Sequence, residues 1–566
     1  MDIYKGDDFM FVKIIKIKKY QYIKLVESYW EDGTSKHRVL YNFGRCDLIK
    51  NDQMFINMVK KLCEIVEIPL VEQKSPLPDC SDAAMLNYGY LGYKKLWEDM
   101  GIANCMRSIQ EKSKITFSLA DTAFLMALQH LLKPESKHFI YNNQSNYYGL
   151  KEIELQHLYR CLDQLVDQKE FIEQSLFEQN YIHINQRVDV VFYDVTTFAF
   201  ESVIADVLKD FGLDAKCKEV QVVMGLLIDS NGLPIGYELF PGNTFDGKTL
   251  VKSLQNVKKR FGINRVIIVA DRGINSKGNL NLIKEAGYGY IVTSKIKSMK
   301  KSIQKQILDP SGYMTLAEDI IYKPIDYQNC FTDENKQKHV LEEKLIVAYS
   351  IKRAQRDQKD RQWLIEKAHK ILQQPGTIKA ASKRGGKKYL LDTSPKDSIW
   401  VLDEEKIKED SMFDGYYGIQ TSEKQMAAAD ILDACHTLWK IEESFRIMKS
   451  TLEVRPVFHW TPGRIHGHFL ICFLSFLMER KMELLLSDQG KDSSPEKIRE
   501  ALNSMQLASV TLNNESVYIK TKNEPLGTEI FRKLGLKRPK NISQEQDLKD
   551  CFNIKKKKSW GQPSLF

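Results

Sequence analysis

Residues 10–45 alternate apolar and polar positions, and the alternation is broken at Trp30-Glu31-Asp32-Gly33-Thr34. Alternation on either side of Asp-Gly predicts strands joined by a hairpin. From 52 to 180 the apolar spacing turns helical. Asp52–Val66 and Leu119–Leu132 are clear cases, and Pro134 closes the second. The pattern changes again near Arg187. Val190–Tyr193 is an unbroken apolar run that stops at Asp194. Val220–Ile228 and Leu233–Phe240 read as two further strands, joined by Asp229-Ser230-Asn231-Gly232, whose Asn-Gly is a hairpin turn. Pro241-Gly242-Asn243-Thr244 leads into a helix over Asp246–Phe261, and a fourth strand, Arg265–Ala270, stops at Asp271. Three antiparallel strands, a crossover helix and a returning strand predict an α/β core open at one end.

Residues 300–425 depart from that rhythm. Short strands such as Leu345–Ser350 and Ser398–Leu402 flank a basic helical stretch, Arg353–Gln373, and glycines follow in Lys383-Arg384-Gly385-Gly386-Lys387. This reads as a β-containing domain inserted into the core. A long helix over 426–452 and another over Leu470–Leu486 return to the core. The expected parts are 1–185, a hairpin plus a mostly helical DNA-binding region; 186–299 and 426–490, the two halves of the core; 300–425, the insertion; and 491–566, a small α/β appendage with a basic tail.

Length and composition narrow the class. The chain has 566 residues, 43% hydrophobic and 28% charged, so it is a folded multidomain protein rather than a disordered one. Its longest apolar run, Phe469–Met478, is too short for a bilayer, which needs ~20 residues. The start, Met1-Asp2-Ile3-Tyr4, lacks a signal-peptide core, and ten cysteines without a CxxC pair fit reduced thiols. The expected location is therefore the cytoplasm, with no membrane partner. Net charge is +9, and Lys352–Lys388 alone carries twelve Lys and Arg against three Asp and Glu, also a net of +9. Lys555–Lys558 is a second basic cluster. Such runs are either solvated faces or polyanion contacts.

Three acids carry the candidate chemistry. Asp194 and Asp271 each end an apolar strand, and Glu442 lies on the later helix. Taken singly, each Asp could be a turn-former or helix cap. Held together, the pair would repel unless a cation neutralised it, and with a helical glutamate it makes an oxygen cage suited to Mg²⁺. Glu442, Arg446 and Lys449 share one helical face. They form either a surface salt bridge or a metal ligand with two phosphate-gripping cations. Glu443 is the neighbouring rival, and Trp439 and Phe445 are read as anchors to the core.

Together these residues resemble the Asp-Asp-Glu triad of ribonuclease H-like transposases from bacterial insertion sequences. The similar group is the one whose third acid sits in a Tyr-Arg-Glu-Lys motif. Glu442 and Lys449 match its Glu and Lys; Cys435 and Leu438 stand where it has Tyr and Arg. Gly232-Leu233-Pro234-Ile235, Phe240-Pro241-Gly242-Asn243 and Ala270-Asp271-Arg272-Gly273 match as well. The resemblance implies an α/β fold: a ribonuclease H-like catalytic core interrupted by the insertion. It implies Asp194, Asp271 and Glu442 as catalytic residues and ligands of two Mg²⁺, with Mn²⁺ able to substitute. It implies DNA contacts from Arg272, Arg446, Lys449, Lys352, Arg353, Arg356 and Arg361. The implied partners are the element's terminal inverted repeats and target DNA, engaged by a homodimer on paired ends. A nuclease that cuts without joining, and a silent DNA-binding derivative, are the competing readings.

Overall fold

The computed structural model describes residues 10–68, 83–180, 190–200, 208, 210–211, 220–242, 260–261, 267–270, 275–332, 336–373, 385–394, 399–454, 457, 459, 461–487, 493–512, 515–521 and 524–552. The chain divides into two compact units, Met1–Asp82 and Ala83–Phe566. The expected boundary at 185 is thereby moved. The helical stretch after 83 buries its apolar faces against C-terminal elements, and apolar spacing alone does not reveal which partner a face will meet.

In the first unit, β1 (Met10–Ile17), β2 (Tyr20–Glu31) and β3 (Thr34–Arg45) form an antiparallel meander. Asp32 and Gly33 both take positive φ, at 51° and 72°, as a tight turn matched to strand twist requires. A helix, Gln53–Ile65, follows, and the Asp52 side chain caps it by accepting from the Met54 and Phe55 amides.

The second unit begins with β4 (Ala84–Asn87) and is built on a ten-stranded sheet. Its strands are β5 (Val190–Ala199), β6 (Asp210–Phe211), β7 (Val220–Ile228), β8 (Pro234–Pro241), β9 (Ile267–Ala270), β10 (Gly289–Ser294), β11 (Met314–Ala317), β12 (Ile320–Thr332), β13 (Lys338–Ser350) and, beyond a small β14 (Leu390–Ser394) and β15 (Ile399–Leu402) pair, β16 (Tyr416–Thr421). The order is β11-β12-β13-β16-β10-β9-β5-β7-β6, with β8 also on β7. β5 runs antiparallel to β7 and parallel to β9, and β9 runs parallel to β10. The expected strands around the Asn-Gly turn are present. Gly232 holds φ +84°, and the Asp229 carboxylate accepts from the Asn231 and Leu233 amides.

Three expectations need correction here. β5 does not stop at Asp194; Val195-Thr196-Thr197-Phe198 are β-branched or aromatic and continue the ladder against β7. Residues 300–425 are β-containing, but their strands do not form a body apart. β13 pairs with β16 and β16 with β10, so the insertion widens the core sheet. The expected 426–452 helix is broken into Ala428–His436 and Trp439–Arg446, and it ends in a π-turn over Ile447–Thr451. The expected Asp246–Phe261 helix lies outside the described residues except for its last two positions, as does the 555–558 tail.

Both sheet faces are covered. Phe192, Phe198, Val222, Met224, Leu226 and Val269 join a large helical core on one side. Tyr193, Leu227, Ile268 and Ala270 pack with Leu280 and Ile283 on the other. The centre of the helical side is Pro462–Ser487, apolar nearly all round and buried against Leu119–Leu132 and Leu155–Leu165. At Gly467 the approach is so close that an added Cβ would fall 2.4 Å from the Leu162 carbonyl. Downstream, β17 (Gln506–Leu512), β18 (Glu515–Lys520) and β19 (Ile542–Gln544) form a four-stranded sheet with β4. Among the described residues no helix is long and apolar enough to cross a membrane.

Candidate functional site

Alternation along β5 decides where Asp194 points. Phe192 and Phe198 are buried on the helical side of the sheet, and Asp194 and Thr196 share their period. Asp194 is half-buried, on an otherwise apolar face. The parallel neighbour is in matching register: Val190 pairs with Ile267 and Phe192 with Val269. Asp194 thus lies two positions beyond one member of a paired couple, and Asp271 two beyond the other. Asp271 and Arg272 lie outside the described residues.

The Glu442 helix, Trp439–Arg446, packs against β5. The Lys449 ammonium, in the π-turn, donates to Thr196 Oγ1 on the Asp194 face and lies 5.5 Å from the Phe198 ring centroid. Lys440 donates to the Ser230 carbonyl in the β7–β8 turn at 2.8 Å. Arg480 completes the clamp: its guanidinium reaches the Gly232 carbonyl at 3.3 Å, Glu443 at 3.4 Å and Glu483 at 2.7 Å. Three cations therefore fix the helix and its π-turn to β5, which carries Asp194, and to the β7–β8 turn.

This clamp separates the two candidate glutamates. Glu443 is taken up by Arg480 and by Arg446, at 3.2 Å. Glu442 is exposed and has no hydrogen-bond or ion-pair partner among the described residues. A carboxylate left unpaired on the face that also carries Lys449 suits a cation ligand better than one already neutralised. Phe445 is buried and anchors the helix, whereas Trp439 is 49% exposed and does not. Cys435 is half-buried, and Leu438 packs against the core.

The cations assigned to DNA fall into different settings. Arg446 is exposed beside Glu443, and Lys449 is held by Thr196. Lys352, Arg353 and Arg356 sit on the exposed first turns of the helix Ile351–Leu372. Lys352 pairs with Asp319 at 3.0 Å, and Arg353 lies 5.0 Å over the Tyr417 ring. Arg361 is turned inward to Asp414, with both side chains largely covered.

Sequence reading missed a second acidic group. Tyr93 donates to Glu479 at 2.6 Å in full burial, which pushes Glu479 up to about 8; desolvation is the main cause and Glu483 adds to it. Glu483 is pushed up to about 7 by burial, against the opposing pull of Arg480. An unbroken helical run of Leu and Phe with one Glu at its end gives no sign that the Glu will face inward.

Residues 189–478, just over half the chain, match the transposase DDE domain. The chain belongs to the DDE transposases. Residues 12–67 of this transposase match the N-terminal domain of IS1634 family transposases, which makes it an insertion-sequence enzyme of DNA recombination. The DDE match covers both strands and the glutamate helix described above, and the other match spans the β1–β3 meander with its following helix. Among curated proteins no relative matches the sequence significantly. A cryo-EM structure of a piggyBac transposase synaptic complex with hairpin DNA is similar over 76% of this chain and 82% of that one, at 12% identity and a TM-score of 0.32. A likeness that weak supports nothing further.

Proposed function

We propose that this transposase cleaves DNA at the ends of its element and joins the freed 3′ ends, using Asp194, Asp271 and Glu442 on a ribonuclease H-like core. The observation that supports the reading is the β5–β9 register, which pairs Phe192 with Val269, the residues that precede Asp194 and Asp271 by two in the sequence. The unpaired Glu442, on a helix clamped against β5, supplies the third carboxylate. Three carboxylates make an all-oxygen, anionic donor set, which fits Mg²⁺ or Mn²⁺. Bound there, two such ions neutralise phosphate charge and activate the attacking oxygen. The chain's own contributions are positional. Asp194 rides on β5, Asp271 follows β9 in the sequence, Lys449 ties the glutamate helix to β5, and Arg446 offers an exposed cation to a backbone phosphate. Lys352, Arg353 and Arg356 add further phosphate contacts, and two copies acting on paired ends would let both element termini be processed together.

The test is incubation of the full chain with Mg²⁺ and DNA carrying the terminal inverted repeats. Cleaved and joined products are expected from the wild type. D194N, D271N and E442Q should each lose at least ~10²-fold, the scale at which charge-stabilising groups matter. Cleavage without joining would favour the nuclease reading. No cleavage by the wild type would favour a silent DNA-binding protein, for which Cys435 and Leu438 in place of Tyr and Arg are the sequence argument.

A further inference from the structure

We propose that His130, His468 and Cys472 form a buried Zn²⁺ site that staples the segment leaving the Glu442 helix to the helical core. Their donor atoms lie within 4.8 Å of one another, and all three residues are buried. Cys472 Sγ is 3.6 Å from Nε2 of each histidine. Tetrahedral zinc, with bonds of ~2.0 Å to nitrogen and ~2.3 Å to sulfur, holds its N and S ligands ~3.5 Å apart, the separation that His130 Nε2 and Cys472 Sγ show. The imidazole centroids of His130 and His468 are 5.3 Å apart, close to the ~5 Å that two zinc-bound rings adopt at a tetrahedral angle. Two imidazoles and a thiol without a carboxylate form a borderline-soft set that selects zinc over Mg²⁺.

Hydrogen bonding leaves the lone pairs in place for a metal. His130 Nδ1 faces the Leu452 carbonyl at 2.9 Å and must donate to it, so its lone pair is on Nε2, toward Cys472. This carbonyl bond is the usual way a ligating histidine is oriented. His468 Nε2 donates to the Val454 carbonyl at 3.0 Å, so the nitrogen that His468 offers a metal is Nδ1, which is buried with no partner among the described residues. A buried lone pair with nothing to accept from is costly, and a cation removes that cost. The His459 ring lies beside the cluster, its centroid 5.4 Å from that of His468. Zn²⁺ binding then displaces one proton, from Cys472 to solvent; the imidazoles bind through lone pairs and no electrons are transferred. Lys137, buried near the cluster, opposes a cation there. Leu452 and Val454 follow the π-turn directly, so a metal on their histidine partners would hold the end of the glutamate helix.

The full-length protein, purified without chelator, should carry about one zinc per chain by elemental analysis. Adding Co²⁺ to metal-stripped protein should give a thiolate-to-cobalt charge-transfer band, present in C330S and absent in C472S. X-ray absorption of the wild-type zinc should fit one sulfur among nitrogen ligands, a measurement that needs no variant to fold. Wild type that holds no stoichiometric zinc and gives no cobalt band overturns the site. So does a band that persists in C472S, or a zinc shell without sulfur.

Discussion

At the scale of single residues, two adjacent glutamates on one helix have opposite surroundings. Glu442 is exposed and unpartnered among the described residues, while Glu443 is neutralised by Arg446 and Arg480. E443Q should therefore leave catalysis within a few-fold of wild type while lowering stability by roughly 1–3 kcal/mol, between the costs of breaking a surface and a buried pair. Strand-transfer assays beside denaturant melts would check this; an inactive but fully stable E443Q would assign the metal to Glu443. Glu479 makes a second prediction. Its carboxyl is raised to about 8, so the folded state keeps a proton that the unfolded chain has released. The stabilisation is complete below the unfolded value of ~4.3 and is lost as pH rises through about 8, at up to roughly 1.4 kcal/mol per pH unit. E479Q should flatten that decline and be more stable than wild type at the upper end, as denaturation at a series of pH values would reveal. Identical slopes would contradict it.

At the scale of elements, the basic helix Ile351–Leu372 separates cations exposed to solvent from one that is covered. Lys352, Arg353 and Arg356 are exposed, whereas Arg361 holds Asp414 beneath the helix. Neutralising the first three and keeping Arg361 should weaken DNA binding at low salt. It should also flatten the dependence of log affinity on log salt by ~0.9 for every phosphate that is no longer neutralised. Folding should be nearly unchanged, since exposed charges contribute little. An unaltered salt slope would mean that the helix is ordinary surface. Elements were largely legible in the sequence where local chemistry is strong. Asp-Gly and Asn-Gly between alternating runs became the expected turns, and the helices expected from Asp52 and from Leu119 are present, capped by the Asp52 and Ser118 side chains. β5 overran its expected end because a lone Asp does not stop a strand whose next four residues favour the ladder and find a partner in β7.

At the scale of the whole molecule, the boundary after Asp82 carries a prediction of its own. A fragment of residues 83–566 should fold with the full chain's melting temperature for that unit. Removing everything after Ser504 should unfold it. β17 pairs directly with β4, and the Asn87 amide donates to the Leu502 carbonyl at 2.8 Å, so the two ends of the unit complete one sheet and core. Limited proteolysis and thermal melts of both fragments would check this, and a stable unit ending at 504 would refute it.

The sequence alone determined what depends on neighbours along the chain: the meander, the caps, the hairpin turns, the apolar strands beside Asp194 and Asp271, and the spacing of Glu442 and Lys449. Tertiary structure decided what depends on partners far away. Whether the strands of 300–425 pair with one another or extend the core sheet is set by β16 lying beside β10, and alternation reads the same either way. Which of two adjacent glutamates stays free is set by Arg480, which comes from another helix. The histidine–cysteine cluster needs His130 and Cys472 on different helices, brought together only when both bury their apolar faces. Local pattern encodes which face is apolar; packing against a distant segment chooses what that face meets.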